Sequence, residues 1–231
     1  MVISIWSTLG FFLKILLSAL CLFGGVTLFL EILHWSPIFS ESPLWVFLSG
    51  GFLCYLVAWT IFLRKRIEFF ETLEHEFTHV LFHWLNGQQV VELKVNDSGS
   101  GEVLTKGRNL ITLLAPYVFP TLLIPFLILK PALSTPFIPV CVVLSGIALS
   151  YHFISTLREL KSIQPDLKEV GYYFALPVIF AALFFTVGYS TIYLLFGWKA
   201  LSAFNHGLLI QGTYLLAELT QLAQFVLTSK W

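Results

Sequence analysis

The sequence predicts an all-α polytopic membrane protein: about six transmembrane helices, one partly inserted helix and a small β-hairpin. Three observations carry this reading. Of the 231 residues, 57% are hydrophobic and only 11% charged, against about 25% charged in soluble domains. The apolar residues fall in long charge-free runs, and the mean hydropathy is +0.84. Four of the 13 acidic residues and three of the six histidines fall in one segment, 68–86, where all but Glu74 share one side of a helix. Thirteen basic and thirteen acidic residues cancel, so there is neither the basic surface of a nucleic-acid binder nor an acidic disordered tail. Cys21, Cys54 and Cys141 lie inside apolar runs with no C-x-x-C spacing, which gives no disulfide framework and no thiolate metal site.

A spanning helix needs about 20 mostly apolar residues. Sixteen charge-free residues separate Lys14 from Glu31 and extend at both ends; further runs cover 42–63, 109–129, 131–157, 170–198 and 200–217. The first run is too long for a signal-peptide core, lacks a small-x-small cleavage site and is followed by more spans, so it reads as a retained helix.

Segment 68–86 differs. At 100° per residue, Glu68, Glu71, Thr72, His75, Glu76, Thr78, His79, His83 and Asn86 fall within one arc of about 160°. Phe69, Phe70, Leu73, Phe77, Val80, Leu81 and Trp84 take the other side, with only Phe82 out of place. Beyond it, Val90–Val95 partly alternates, 96–101 is dense in turn residues, and 102–105 reads as a returning strand, so 89–106 is predicted to be a hairpin. Arg64, Lys65 and Arg66 mark the end of the second run as cytoplasmic. If helix 68–86 is re-entrant rather than spanning, Lys94, Lys106, Arg108, Arg158, Lys161, Lys168 and Lys230 join them on that side, and only Lys130 and Lys199 face out. The positive-inside rule favours this arrangement.

His75-Glu76-Phe77-Thr78-His79 is an H-E-x-x-H motif. Two histidines at i and i+4 share a helical face and can reach one Zn²⁺, while the adjacent glutamate can act as general base. His83 continues the row but stands about 12 Å from His75 by helix rise, too far for one tetrahedral ion, so it suits a supporting or substrate-facing role. A catalytic zinc takes a third protein ligand. Of the two aspartates, Asp97 suits the turn, and Asp166 lies at the same membrane face as His75; Glu159 and His152 adjoin that face as alternatives.

These residues carry a resemblance. Glu74-His75-Glu76-Phe77-Thr78-His79, Gly87, the hairpin with Asp97-Ser98-Gly99-Ser100-Gly101, Ala115-Pro116-Tyr117 and Gln164-Pro165-Asp166-Leu167 follow one another in an order that resembles the site-2 protease family of intramembrane zinc metallopeptidases. The likeness covers roughly residues 68–175 and is closest to the small bacterial branch. The better-known members place Gly after the aspartate, where this chain has Leu167. The resemblance implies His75, His79 and Asp166 as zinc ligands and Glu76 as catalytic base. It also implies a single integral membrane domain over 1–231, with a metallopeptidase-like core at 68–175 between two N-terminal spans (1–67) and C-terminal spans (170–231).

The expected activity is hydrolysis of peptide bonds by metal-activated water. The expected partners are membrane-protein or membrane-associated peptide substrates and the lipid bilayer, with no nucleic acid. The expected location is the bacterial inner membrane, with the site near the cytoplasmic face. The hairpin could offer an edge strand to an extended substrate. The alternative is a catalytically inactive metal-binding membrane protein that acts as a scaffold, which would have no need of Glu76. A metal transporter would repeat polar residues along several spans, and the runs at 42–63, 109–129 and 170–198 carry almost none.

Overall fold

The computed structural model describes residues 5–64, 66–96, 101–105, 107–160 and 164–228, with side chains from residue 10 onward. The hairpin tip with Asp97, and Lys65, Lys106, Lys161, Lys230 and Trp231, lie outside the described residues. In chain order the elements are helix α1 (Ile5–Phe39), α2 (Trp45–Ala58), α3 (Glu68–Leu85), strands β1 (Val90–Val95) and β2 (Gly101–Thr105), then α4 (Leu110–Val118), α5 (Ile124–Leu129), α6 (Ile138–Glu159), α7 (Pro165–Val170), α8 (Tyr172–Phe196) and α9 (Ala200–Thr228). The expected helical bundle with one small antiparallel hairpin is present.

Four stretches are long and apolar enough to cross a membrane: Gly10–Phe39, Trp45–Leu63, Thr135–Glu159 and Tyr172–Phe196. The other two expected spans differ. Run 109–129 divides into α4 and α5 around 119–123, where Pro120 and Pro125 remove two backbone donors and block continuous helix. Run 200–217 forms part of one long helix that continues to Thr228; its second half, with Glu218, Gln221 and Gln224, is exposed.

The packing is built on small residues. A Cβ on Gly51 of α2 would overlap the carbonyl oxygen of Val143 in α6, and one on Gly146 of α6 would overlap the Leu48 carbonyl of α2. The two backbones therefore touch through reciprocal glycines, as apolar helices do where no hydrophobic drive separates helix from lipid. On the opposite flank α1 lies along α8, with Gly25 against Phe180. Glu31 of α1 is 1% exposed, accepts a hydrogen bond from Trp35 Nε1 at 2.8 Å and packs against Gly207 of α9. After Ala58 the chain makes one π-helical turn, Trp59–Leu63, closed by Arg64 N–H to the Trp59 carbonyl at 3.1 Å, and then turns into α3.

Helix α3 is the reverse of a soluble amphipathic helix. Its buried residues are Glu71, His75, Glu76, Thr78, His79, Val80 and His83, while Phe69, Phe70, Phe77 and Trp84 are exposed. An apolar medium on the outside and polar partners on the inside satisfy both faces. Four glutamates keep it off the roster of spanning helices. The broken α4–α5 segment supplies part of the inner wall. Thr121, in the break, meets Thr78 hydroxyl to hydroxyl at 2.6 Å, and the rings of Phe119 and Phe82 pack edge to face at 5.0 Å.

The glycine contacts make a stability prediction. Gly146→Leu forces α2 from α6 and should cost about 1–3 kcal/mol, seen as a fall of several degrees in the detergent-solubilised unfolding temperature. Gly50→Leu, whose Cβ would meet nothing within 4 Å, should leave it unchanged.

Candidate metal centre

Helix α3 sets His75 and His79 one turn apart, with ring centroids 4.9 Å from each other. Asp166 opens α7 directly after Pro165, which suits the first helical turn because it needs no N–H there. Its Oδ2 lies 3.2 Å from His79 Nε2 and 3.8 Å from His75 Nε2. One ligand atom from each of the three residues falls within 4.8 Å of the others. The two imidazoles are buried, the carboxylate partly so. Two nitrogens and one oxygen converging in this way are the donor set of a three-ligand divalent cation site with an open position, and the residues fit such an ion.

What holds the imidazoles is as informative as what they face. His75 Nδ1 lies 2.8 Å from a Glu159 carboxylate oxygen, and His79 Nδ1 donates to the Thr112 carbonyl at 2.8 Å. Each ring thus spends its far nitrogen on an acceptor and turns Nε2 inward, the arrangement that orients histidines toward a cation and fixes their tautomer. Tyr117 packs edge to face on His75 at 5.3 Å and is wholly buried. Thr112 is placed by a capping box at the start of α4, in which its amide donates to the Asn109 side chain at 2.8 Å and its hydroxyl accepts from the Asn109 amide at 3.1 Å.

Electrostatics follow from this geometry. Burial disfavours a charged His75, but the Glu159 and Asp166 carboxylates outweigh it and hold its pKa above the ordinary value. Burial alone would raise Asp166; hydrogen bonds from the two histidines reverse that and hold it well below the usual carboxylate range. Glu76 is raised, chiefly by burial, with the neighbouring histidines opposing. Burial pushes Glu74, facing away toward Thr121 and Thr78, up to about 7.

Together these side chains line a cavity of about 480 Å³ that His75, Glu76, His79, His83, Glu159 and Asp166 share with the hairpin. The hairpin closes it tightly. A Cβ on Gly101 would stand 2.5 Å from Glu76 Cγ and 2.7 Å from Thr72 Cγ2, so only glycine lets β2 start against the glutamate. His83 lines the cavity one turn beyond His79, its Nδ1 2.5 Å from Gln88 Oε1. Burial lowers its pKa, with the Gln88 hydrogen bond opposing.

The sequence-chosen residues therefore sort as follows. His75, Glu76, His79 and Asp166 converge, and His83 stands apart from the cluster with its own partner. Glu159 lines the cavity but sits behind His75 rather than beside Asp166. His152, buried in α6, is not among the lining residues. Sequence reasoning does not find the Thr112 carbonyl, because a backbone acceptor has no sequence signature, although Asn109 three residues earlier signals the cap that aims it. It also does not find Gly101, whose place in a Gly/Ser turn reads as turn chemistry.

Neither a curated protein nor a solved structure matches the chain. A family model described as Peptidase M50B-like matches residues 48–202, a span that holds most of α2, the H-E-x-x-H helix, the hairpin, and α4 to α8 with Asp166. That match covers well over half of the chain: the protein belongs to the Peptidase M50B-like family, the site-2 protease kind that its sequence resembles.

Proposed function

We propose that the chain is an intramembrane zinc endopeptidase that hydrolyses peptide bonds of membrane-embedded or membrane-associated protein substrates. Segment 68–175 serves as its catalytic core, and the spans in 1–67 and 170–231 flank it. The observation that carries the reading is the convergence of His75 Nε2, His79 Nε2 and Asp166 Oδ2 beside Glu76 in one buried cavity. The positive-inside rule supports reading this cavity at the cytoplasmic face of a bacterial inner membrane.

His75, His79 and Asp166 would hold the cation, which supplies a lowered pKa to a water molecule and polarises the scissile carbonyl when bound. Glu159 and the Thr112 carbonyl keep both Nε2 atoms aimed inward. Glu76 accepts the proton of the attacking water as its oxygen bonds to the carbonyl carbon. It then returns the proton to the amine as the C–N bond breaks. Its raised pKa brings it nearer the working pH, where a general base is most effective. His83, braced by Gln88, presents a polar edge to the substrate further along the cavity. The two-stranded hairpin leaves a free edge that an unwound substrate segment can extend.

Three outcomes are expected. Purified wild type holds about one zinc per chain by mass spectrometry of the metal, and His79→Ala and Asp166→Ala lose it; wild type without metal after reconstitution would end this reading. Glu76→Gln keeps zinc and lowers kcat on the order of 10³-fold, and Gly101→Val, which displaces Glu76, does likewise with its zinc retained. Zinc affinity depends on pH. The raised pKa of His75 keeps a proton on Nε2 at neutral pH, and binding must displace it. Affinity therefore falls about tenfold for each pH unit lowered across that range, read by chelator competition between pH 6 and 8.

A further inference from the structure

Arg158, in the last turn of α6, reaches three groups on two elements at once. Its Nη2 donates to Glu68 Oε1 at 2.6 Å, its Nη1 donates to Glu71 Oε2, and Nη1 also lies 3.4 Å from the Arg64 carbonyl at the end of the π-helical turn. Glu68 and Glu71 form the first turn of α3, and Glu71 and His75 stand one turn apart on its buried face. The next residue of α6 is Glu159, which holds His75 Nδ1 at 2.8 Å. Consecutive residues of one helix thus grip successive turns of another: Arg158 takes Glu71, and Glu159 takes His75.

A helix gripped at two successive turns has its rotation and its height fixed. Further along, α3 is held at Thr78 by Thr121, at His79 by the Thr112 carbonyl and at Phe82 by Phe119; at its first turn Phe70 packs on Tyr151 of α6 and the charged hold is Arg158. The fork of a guanidinium suits this task, since two N–H donors in a rigid plane can hold two carboxylates in fixed directions, which a lysine cannot. The Glu71 side chain is 9% exposed and that of Arg158 32%, so solvent screens the pair only in part.

We infer that Arg158 is a positioning residue for the metal centre: through Glu71 and Glu68 it sets the roll of α3, so that His75 meets Glu159 and its Nε2 meets the cation. This rests on the zinc-binding reading above and concerns a residue that touches neither cation nor substrate.

The test is zinc affinity, measured by chelator competition on detergent-purified full-length chain, with the visible spectrum of the Co²⁺-substituted protein beside it. Arg158→Gln should weaken zinc binding about tenfold and alter the Co²⁺ bands, and Arg158→Lys should lie between it and wild type. In a Glu159→Gln background the Arg158→Gln effect should shrink to a fraction, because both act on the same imidazole. Unchanged affinity in both Arg158 variants overturns the inference, as does a full tenfold effect that persists when Glu159 is already Gln. If Arg158→Gln does not purify as a monodisperse protein, Arg158→Lys decides: weakened binding sustains the inference, and wild-type binding overturns it. Wild type that takes up no zinc removes the metal-site reading itself, which separates that failure from this one.

Discussion

Two hydrogen bonds on the outer sides of two imidazoles organise the centre of this protein. The Glu159 carboxylate holds His75, and the Thr112 carbonyl holds His79. Each comes from a different helix, α6 and α4, and each decides which ring nitrogen turns inward. The rest of the fold can be read as what these acceptors require. Helix α6 must end level with the middle of α3, which the reciprocal glycines between α2 and α6 and the Arg158 contacts secure. The third apolar run must break, so that α4 can start beside His79 while the break itself settles on Thr78 and Phe82.

The same economy explains the inverted helix. Polar side chains at membrane depth need partners more than lipid-facing ones need polarity. Helix α3 therefore turns Glu71, His75, Glu76, Thr78 and His79 inward and leaves Phe69, Phe70 and Phe77 to the apolar exterior. Three carboxylates on the inner side find partners: Glu71 through Oε2 has Arg158, Glu159 has His75, and Asp166 lies between both histidines. The cavity that results is polar inside a mostly apolar protein, and such a setting lets a few charges act strongly on a substrate.

The parts of this arrangement that are legible in the sequence are the local ones. Hydropathy marks the four crossing stretches because each is a continuous run. The spacing of His75 and His79 marks a shared face because 3.6 residues make a turn. Prolines 116 to 139 mark a stretch in which a helix cannot continue unbroken. Asp166 is recognisable because the chain has one other aspartate, and that one lies among Gly and Ser. The split of the third run at 119–123 does not show in hydropathy, since 109–129 is charge-free throughout and hydropathy does not register a lost backbone donor. The role of Glu159 is harder still. As a carboxylate near the right face it qualifies as a ligand, and only the register of α6 against α3 places it on Nδ1 instead. Gly101 and Thr112 act through a missing side chain and a backbone oxygen, which composition and spacing do not record.

Between α7, which carries Asp166, and the crossing helix α8 stands one residue, Gly171, with φ of 95°, a left-handed conformation that other residues adopt only with strain. The carbonyl of Val170 just before it accepts a hydrogen bond from Lys14 of α1 at 3.1 Å. The short helix is thus tied to α1, and its Leu167 and Val170 pack with Phe174, Ala175 and Ile179 of α8 in one buried cluster. Gly171 turns the chain between two helices that this packing holds together, so the aspartate is anchored through the short helix to a membrane-crossing one.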